Sequence, residues 1–264
     1  MGGRAGAAIT VVIPVWGAAY RGALPAALAS VPEGAKVIVV LGAGEPDPPG
    51  GVGAEVELIR AEAPLTVGAA RNLGLASVET PYVVFLDADD QLVPEAQGTM
   101  LAALESDPGA VLATTQAIDR ESGDVVAPRS FVGSLARSPS ALAAAESVWS
   151  LLPTQGCAVI RTEAAKACGG YADSDGGEDW AFGIALVRRG RVVVLPDPGL
   201  IYAPAGFRDG KLSRRELSGR AALARASWRR SGGVGSLLLL PLIGALQFVV
   251  IGVLRPLRTR GAGK

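Results

Sequence analysis

The stretch YVVFLDADDQL, residues 82–92, decides how this chain is read: five apolar residues run directly into three carboxylates within four positions. An apolar run of that length, rich in Val, has the signature of a buried strand, and a buried strand that ends in like charges demands a reason. In an extended chain Asp87 and Asp89 point the same way, about 6.6 Å apart. Carboxylates on one Mg2+ or Mn2+ lie about 2.1 Å from the ion. A flat strand therefore cannot hand both to one cation: either the chain turns here, or one Asp ligates and the other holds a sugar hydroxyl or an ordered water. Repulsion that is costly without a cation becomes useful with one, above all if the cation arrives carrying a diphosphate. The competing reading is a solvated acidic turn ahead of a helix begun by Pro94 and Glu95.

Upstream of this stretch the same kind of run recurs. Residues 8–15 (AITVVIPV), 36–41 (KVIVVL), 56–61 (VELIRA) and 82–87 (YVVFLD) read as strands, and residues 20–30, 68–78 and 94–105 as the helices between them. That alternation predicts βαβ units, and so an α/β fold with a mostly parallel sheet and helices on both faces. Runs at 110–118, 157–161 and 191–195, with a helix near 178–189, complete the expected sheet. The Pro/Gly-rich segment 42–53 is a loop rather than a domain linker, because the strand pattern resumes directly after it. In such sheets ligands gather outside the carboxyl ends of the strands, which is where Asp87, Asp89 and Asp90 fall.

Composition narrows the chemistry. The 264 residues contain no His, which excludes His-based triads and imidazole ligands, so carboxylates must do any acid, base or metal work. Two cysteines, Cys157 and Cys168, are too few for a disulfide framework and read as reduced packing residues. The formal charge is zero but unevenly divided: residues 1–207 carry 13 Lys+Arg against 23 Asp+Glu, and residues 208–264 carry 12 against 2. An acidic body would repel phosphate, so no nucleic-acid partner is expected, whereas the basic end suits an anionic membrane surface.

The chain divides accordingly into a body, residues 1–207, a basic helix over 208–233 placed at the headgroups, an apolar segment over 234–254, and a basic tail over 255–264. The competing reading of 208–233 is a solvated surface helix. The apolar segment has no charge in 21 positions and as a helix extends about 31 Å, the thickness of the bilayer hydrocarbon. It reads as a transmembrane helix, with a membrane-embedded interfacial helix as the alternative in view of Pro241, Gly244 and Gln247. Six Arg lie within twenty residues before it and four Arg or Lys after it, which places the body on the cytoplasmic face of the cell membrane.

Three segments, in order, carry a resemblance. GAARNLGLASVETPYVVFLDADDQLVPEA, with its Ala-Arg-Asn helix, strand and Asp-x-Asp (DXD) motif, resembles the segment closing the nucleotide-binding half of family-2 glycosyltransferases of the GT-A fold. TVVIPVW resembles the first strand of that family, and GGYADSDGGEDWAFGIALVRRG its later Glu-Asp-Trp region. Carried over position by position, the resemblance implies that Pro14 and Trp16 border the donor nucleotide, with Trp16 stacking on the base. Arg71 and Asn72 would meet its base or phosphates. Asp87 would touch ribose or stand behind the metal, Asp89 would bind Mn2+ or Mg2+ and through it the diphosphate, and Asp90 would support them. Asp179 falls on the general base of inverting members, with Glu178 and Trp180 holding the acceptor. Each position also has an ordinary reading: Trp16 as a strand-end aromatic, Asn72 as a helix cap, and Glu178 and Asp179 as acids complementing a helix dipole.

The departures are specific. Where the family ends its second strand with an Asp-Asp-Gly-Ser-like turn that reads the base, this chain has Leu41, Gly42, Ala43 and Gly44. The His that many relatives place beyond the catalytic segment is missing, which leaves Arg208 or Lys211 to neutralise phosphate. The expected activity is metal-dependent, inverting transfer from a nucleotide-diphosphate sugar to a hydroxyl of a lipid-linked or glycan acceptor in cell-envelope glycan or glycolipid synthesis. A polyprenyl-phosphate sugar synthase and a catalytically silent scaffold at the membrane are the rival readings. A nucleotidyltransferase fits less well, since PVWGAAYRGALP lacks a glycine-rich phosphate loop.

Overall fold

The computed structural model describes residues 6–53, 55–127, 131–148, 150–173 and 177–203. Nine strands form one mixed sheet: β1 (Ile9–Val15), β2 (Lys36–Leu41), β3 (Val56–Arg60), β4 (Tyr82–Phe85), β5 (Gln91–Leu92), β6 (Ala110–Asp119), β7 (Val125–Ala127), β8 (Ala158–Arg161) and β9 (Arg191–Tyr202). Helices α1 (Gly17–Ala29), α2 (Val67–Ser77), α3 (Pro94–Ser106), α4 (Val132–Ala136), α5 (Pro139–Val148), α6 (Thr162–Ala167) and α7 (Glu178–Val187) connect and cover them. The strand order is β3-β2-β1-β4-β8-β6-β9-β5, with β7 on the edge of β6.

Strands β1 to β4 pair in parallel, and β6 and β9 run parallel to each other. Strand β8 is antiparallel to both β4 and β6, while β5 and β7 are antiparallel additions. Four ladders are thus parallel and four antiparallel: the sheet is mixed, and the β1–β4 half alone is uniformly parallel as the alternation predicts. Because the chain builds outward from β1 to β3 and then returns to the other side of β1 as β4, the order reverses there. A crevice opens at the carboxyl ends of β1 and β4.

Strict side-chain alternation divides the apolar residues between two cores. On one face Val11, Ile13, Val39, Leu41, Val84 and Leu86 pack under Leu24 of α1 and Met100 and Leu104 of α3. On the other, Val12, Ile38, Val40, Val83 and Phe85 pack under Leu75 of α2 and Phe182 and Leu186 of α7. A strand buried on both faces has no polar side to show, and this explains the unbroken apolar runs. Pro14 sits inside central β1 without breaking it. By alternation its missing N–H lies on the β4 side, where the ladder has already ended with the Leu86 N–H donating to the Val12 carbonyl.

Strand β4 stops at Phe85, two residues short of the predicted run, because the chain turns: the Asp90 N–H donates to the Asp87 carbonyl at 3.0 Å. Elements absent from the sequence reading are the two-residue β5, β7 and helices α4 to α6. The 208–233 helix, the 234–254 membrane helix and the basic tail lie outside the described residues. Among the described residues no helix is long and apolar enough to cross a membrane. Cys157 is buried, Cys168 half-buried, and both are free thiols.

Candidate active site

Close approach sets the residue at several positions of the GAARN helix. Thr66 caps α2 by accepting the Ala69 N–H at 3.1 Å and donates to Asp173 at 2.7 Å, which ties the helix start to the loop after α6. At Gly68 a Cβ would lie 2.2 Å from the Ala172 carbonyl oxygen, and at Gly74 2.4 Å from a Val12 methyl, so only hydrogen at these positions lets the helix touch both loop and sheet. Asn72 uses both ends of its amide on one residue, donating to the Tyr171 carbonyl and accepting the Tyr171 N–H, each at 2.8 Å. Gly170, at φ +71°, leaves room for that clamp. Asn72 therefore acts on the site by fixing Tyr171, which the sequence reading did not single out.

Arg71 is the centre of the arrangement. It is 3% exposed, and its guanidinium donates to Asp87 Oδ1 at 2.6 Å and to Glu178 Oε1 at 3.2 Å while resting on the Tyr171 ring, 5.0 Å from its centroid. Burial opposes its charge, but Asp87, Tyr171 and Glu178 outweigh that and hold it more firmly protonated than a free arginine. One buried cation thus joins the acidic turn after β4 to the first turn of α7. A fixed planar fork suits this bidentate bridging in a way a lysine cannot.

The acidic turn is pinned from both sides of the crevice. Leu86 remains bonded to β1, Arg120 donates to the Asp89 carbonyl at 2.9 Å, and Gln91 and Leu92 pair with the end of β9. Asp90 is buried and accepts the Ala203 N–H at 2.8 Å. Burial, reinforced by Asp87 and Asp89, pushes its carboxyl up to about 8 despite that hydrogen bond. Asp87 and Asp89 are half-buried. Of the three acids, then, Asp87 is shared with Arg71, Asp90 is buried with its carboxyl pushed up, and Asp89 is half-buried.

On the opposite wall Gly177, at φ +74°, opens α7, and Glu178 and Asp179 form its first turn. Glu178 is buried; burial and then Asp179 raise its pKa, against the pull of Arg71. Asp179 is half-buried and accepts the N–H of Trp180. Trp180 is 4% exposed and its indole N–H donates to the Glu146 carbonyl, so its ring is part of the packing under α7. Trp16 is different: 39% exposed at the end of β1, it packs on Tyr20 with ring centroids 4.9 Å apart. Beside it the turn after β2 lacks the expected Asp, yet a carboxylate returns three residues beyond Gly42. Glu45 accepts the Gly17 N–H at 2.8 Å and pairs with Arg21.

The donor set tests the expected metal. Among the described residues no three His, Cys, Asp or Glu side chains gather as a ready-made metal cage. Mg2+ is typically held by one or two carboxylates plus substrate phosphates and water, and the turn, with Asp89 half-buried and Asp87 bonded to Arg71, offers that number of acids. Two half-buried acids in one turn, one of them already bonded to Arg71, are a donor set that fits a cation only where a diphosphate and water complete it.

Residues 10–169 match the family described as Glycosyl transferase family 2. Among solved structures, S. aureus TarS 1–349 in complex with UDP is similar at a TM-score of 0.64 and 14% identity, covering 91% of this chain and 71% of that one. The same fragment in complex with UDP-GlcNAc gives 0.57 and 13%, covering 84% and 65%. Against another crystal structure of S. aureus TarS the values are 0.57 and 16%, covering 75% of this chain and only 37% of that one. At these identities the likeness is one of fold. No curated protein matches the sequence. With residues 10–169, well over half of its length, matching the family, this chain belongs to glycosyl transferase family 2.

Proposed function

We propose that the protein transfers a sugar, with inversion, from a nucleotide-diphosphate sugar to a hydroxyl group, with a divalent cation bound at Asp89. The observation that carries this reading is the Arg71 guanidinium between Asp87 and Glu178, because it brings the acidic turn and Asp179 into one cleft. Trp16 and the crevice between β1 and β4 receive the nucleotide. When bound, the cation neutralises charge on the departing diphosphate. Asp179 takes the proton of the acceptor hydroxyl as its oxygen bonds to the anomeric carbon on the face opposite the breaking C–O bond. A sugar hydroxyl becomes acidic only as that bond forms, so a positioned carboxylate can serve without a matched ground-state pKa. The TarS structures with UDP and UDP-GlcNAc make uridine nucleotides the first donors to try.

A lipid-linked acceptor at the cytoplasmic membrane face is the second part of the proposal. It rests on the uncharged segment 234–254 and the arginines around it, since a tethered enzyme meets substrates in the headgroup plane. The test is donor turnover in isolated membranes with UDP-, GDP- and dTDP-sugars, for the native protein and for Asp89→Asn and Asp179→Asn. One donor should turn over in the native protein and in neither variant. Normal turnover by Asp179→Asn would remove it as the base, and binding of no nucleotide by the native protein would favour the silent scaffold.

A further inference from the structure

Behind the wall that carries Asp179 lies a buried acid that the reaction does not use. Glu146, in α5, is fully buried. Its Oε2 accepts the N–H groups of Leu151 and Leu152 at 2.9 and 3.2 Å, which closes the turn after the helix. Its main-chain carbonyl accepts the Trp180 indole N–H. Oε1 has no hydrogen-bond partner among the described residues; it faces Gly183 of α7, where a Cβ would come within 2.8 Å. The hydroxyl of Thr154 is likewise buried without a partner, and its methyl borders the same point at 3.9 Å. Thr154 in turn accepts the Tyr171 hydroxyl on its carbonyl at 3.3 Å, and Tyr171 lies under Arg71.

The charged groups around this pocket are one-sided. From α7 come Glu178 and Asp179; α5 contributes no other charge, the segment 150–154 none, and Arg137 after α4 is exposed. A carboxylate sealed there without a cation would cost several kcal/mol, whereas a carboxylic acid leaves the pocket without net charge. Burial drives the group up to about 8 in spite of the two N–H donors, and Asp179 adds to the rise.

We propose that Glu146 is a positioning residue for the transfer reaction: as a neutral carboxylic acid it pins the turn after α5 and, through Trp180 and Gly183, sets the first turn of α7 and hence Asp179. Ionisation puts a second negative charge beside the base and into a pocket where Oε1 has no hydrogen-bond partner among the described residues, and α7 shifts. Donor binding, on the far side of Arg71, is left alone. The proposal rests on Asp179 being the base.

The experiment uses the full chain and follows intrinsic tryptophan fluorescence from pH 6 to 9.5 without substrate, then kcat and donor KM over the same range. The native protein should show a fluorescence transition near pH 8 that is missing from Glu146→Gln and from Trp180→Phe. At pH 7, Glu146→Gln should unfold thermally at or above the native midpoint, retain its kcat within about threefold, and lose the alkaline fall in kcat. Glu146→Ala should lower kcat between about tenfold and a hundredfold at unchanged donor KM, the scale of a displaced catalytic group. A transition that persists in Glu146→Gln or Trp180→Phe, or a Glu146→Gln as impaired or as unstable as Glu146→Ala, overturns the proposal. If the optical results come out as expected but no protein turns over a nucleotide sugar, the catalytic reading fails and the packing role of Glu146 stands.

Discussion

Two acidic clusters face each other across Arg71, and they are built alike. The turn after β4 holds Asp87, Asp89 and Asp90; the start of α7 and the helix behind it hold Glu178, Asp179 and Glu146. Each has one carboxylate on the shared guanidinium, Asp87 at 2.6 Å and Glu178 at 3.2 Å. Each has one buried member pushed up to about 8, Asp90 and Glu146. Each leaves one half-buried carboxylate, Asp89 or Asp179. The difference lies in the neighbours of the buried acid. Asp90 is flanked by Asp87 and Asp89 in its own turn, where a divalent cation is expected, whereas Glu146 reaches Asp179 from a neighbouring helix, through packing and through charge. Crowded acids are thus tolerated by one buried cation and two retained protons without recourse to a metal.

The comparison breaks most completely at Arg71. Arg71→Met strands Asp87 and Glu178 without their partner, and losing one side of a buried ion pair costs about 3–5 kcal/mol. Urea unfolding should register that loss and turnover should vanish with it; a variant of native stability would show that the two clusters do not depend on the shared cation. Next comes Asp179→Asn, expected to lower kcat by about 10²- to 10⁴-fold, the usual scale for a general base, in single-turnover assays with little change in donor affinity. Smaller is the cost of Gly170→Ala. At φ +71° the backbone strain alone is about 1–3 kcal/mol, and the new Cβ would press on Asn72 Oδ1. A lowered thermal midpoint together with a raised donor KM would show that the Tyr171 clamp holds Arg71 in place.

Protonation sharpens the comparison further. Unfolded Asp and Glu release their protons near 3.8 and 4.5, while native Asp90 and Glu146 keep theirs to about 8. Between these limits the folded chain binds more protons than the unfolded one. Their contribution to stability is therefore complete below about pH 4 and lost as pH rises towards 8. Denaturation without metal at several pH values should show this fall, with Asp90→Asn and Glu146→Gln each flattening part of it; a fall unchanged in either variant assigns that proton elsewhere. The smallest effect belongs to a glycine in neither cluster. Gly98 in α3 meets nothing within 4 Å of an added Cβ, so Gly98→Ala should raise stability by up to about 1 kcal/mol with activity unaltered.

The two sides also differ in how legible they were. Strands β1 to β4 and helices α1 to α3 follow from unbroken Val/Ile runs alternating with helical stretches, and the observed elements lie within a few residues of those expected. Period and composition suffice when a strand is buried on both faces. The side that carries β5 to α7 is harder: β5 is two residues long and set by pairing with β9, and α5 is an Ala-rich helix with little contrast between its faces. Glu146, a lone acid in SALAAAES, looks like a solvated charge, because its burial is decided by α7, more than thirty positions away. Asn72 and Trp180 were expected at the ligands, yet the structure commits their polar groups to main-chain partners. Side-chain type and motif named the residues that the fold brings around Arg71 but not the direction of each hydrogen bond.

The central claim is that a divalent cation joins Asp89 to the donor diphosphate while Asp179 acts on the acceptor. Its most direct test is calorimetric titration of nucleotide diphosphates, UDP first, into the native protein, Asp89→Asn and Asp179→Asn, with Mn2+ and with a chelator. The account predicts binding that requires Mn2+, is lost in Asp89→Asn and is retained in Asp179→Asn. Equal binding with the chelator present, or in Asp89→Asn, would contradict it.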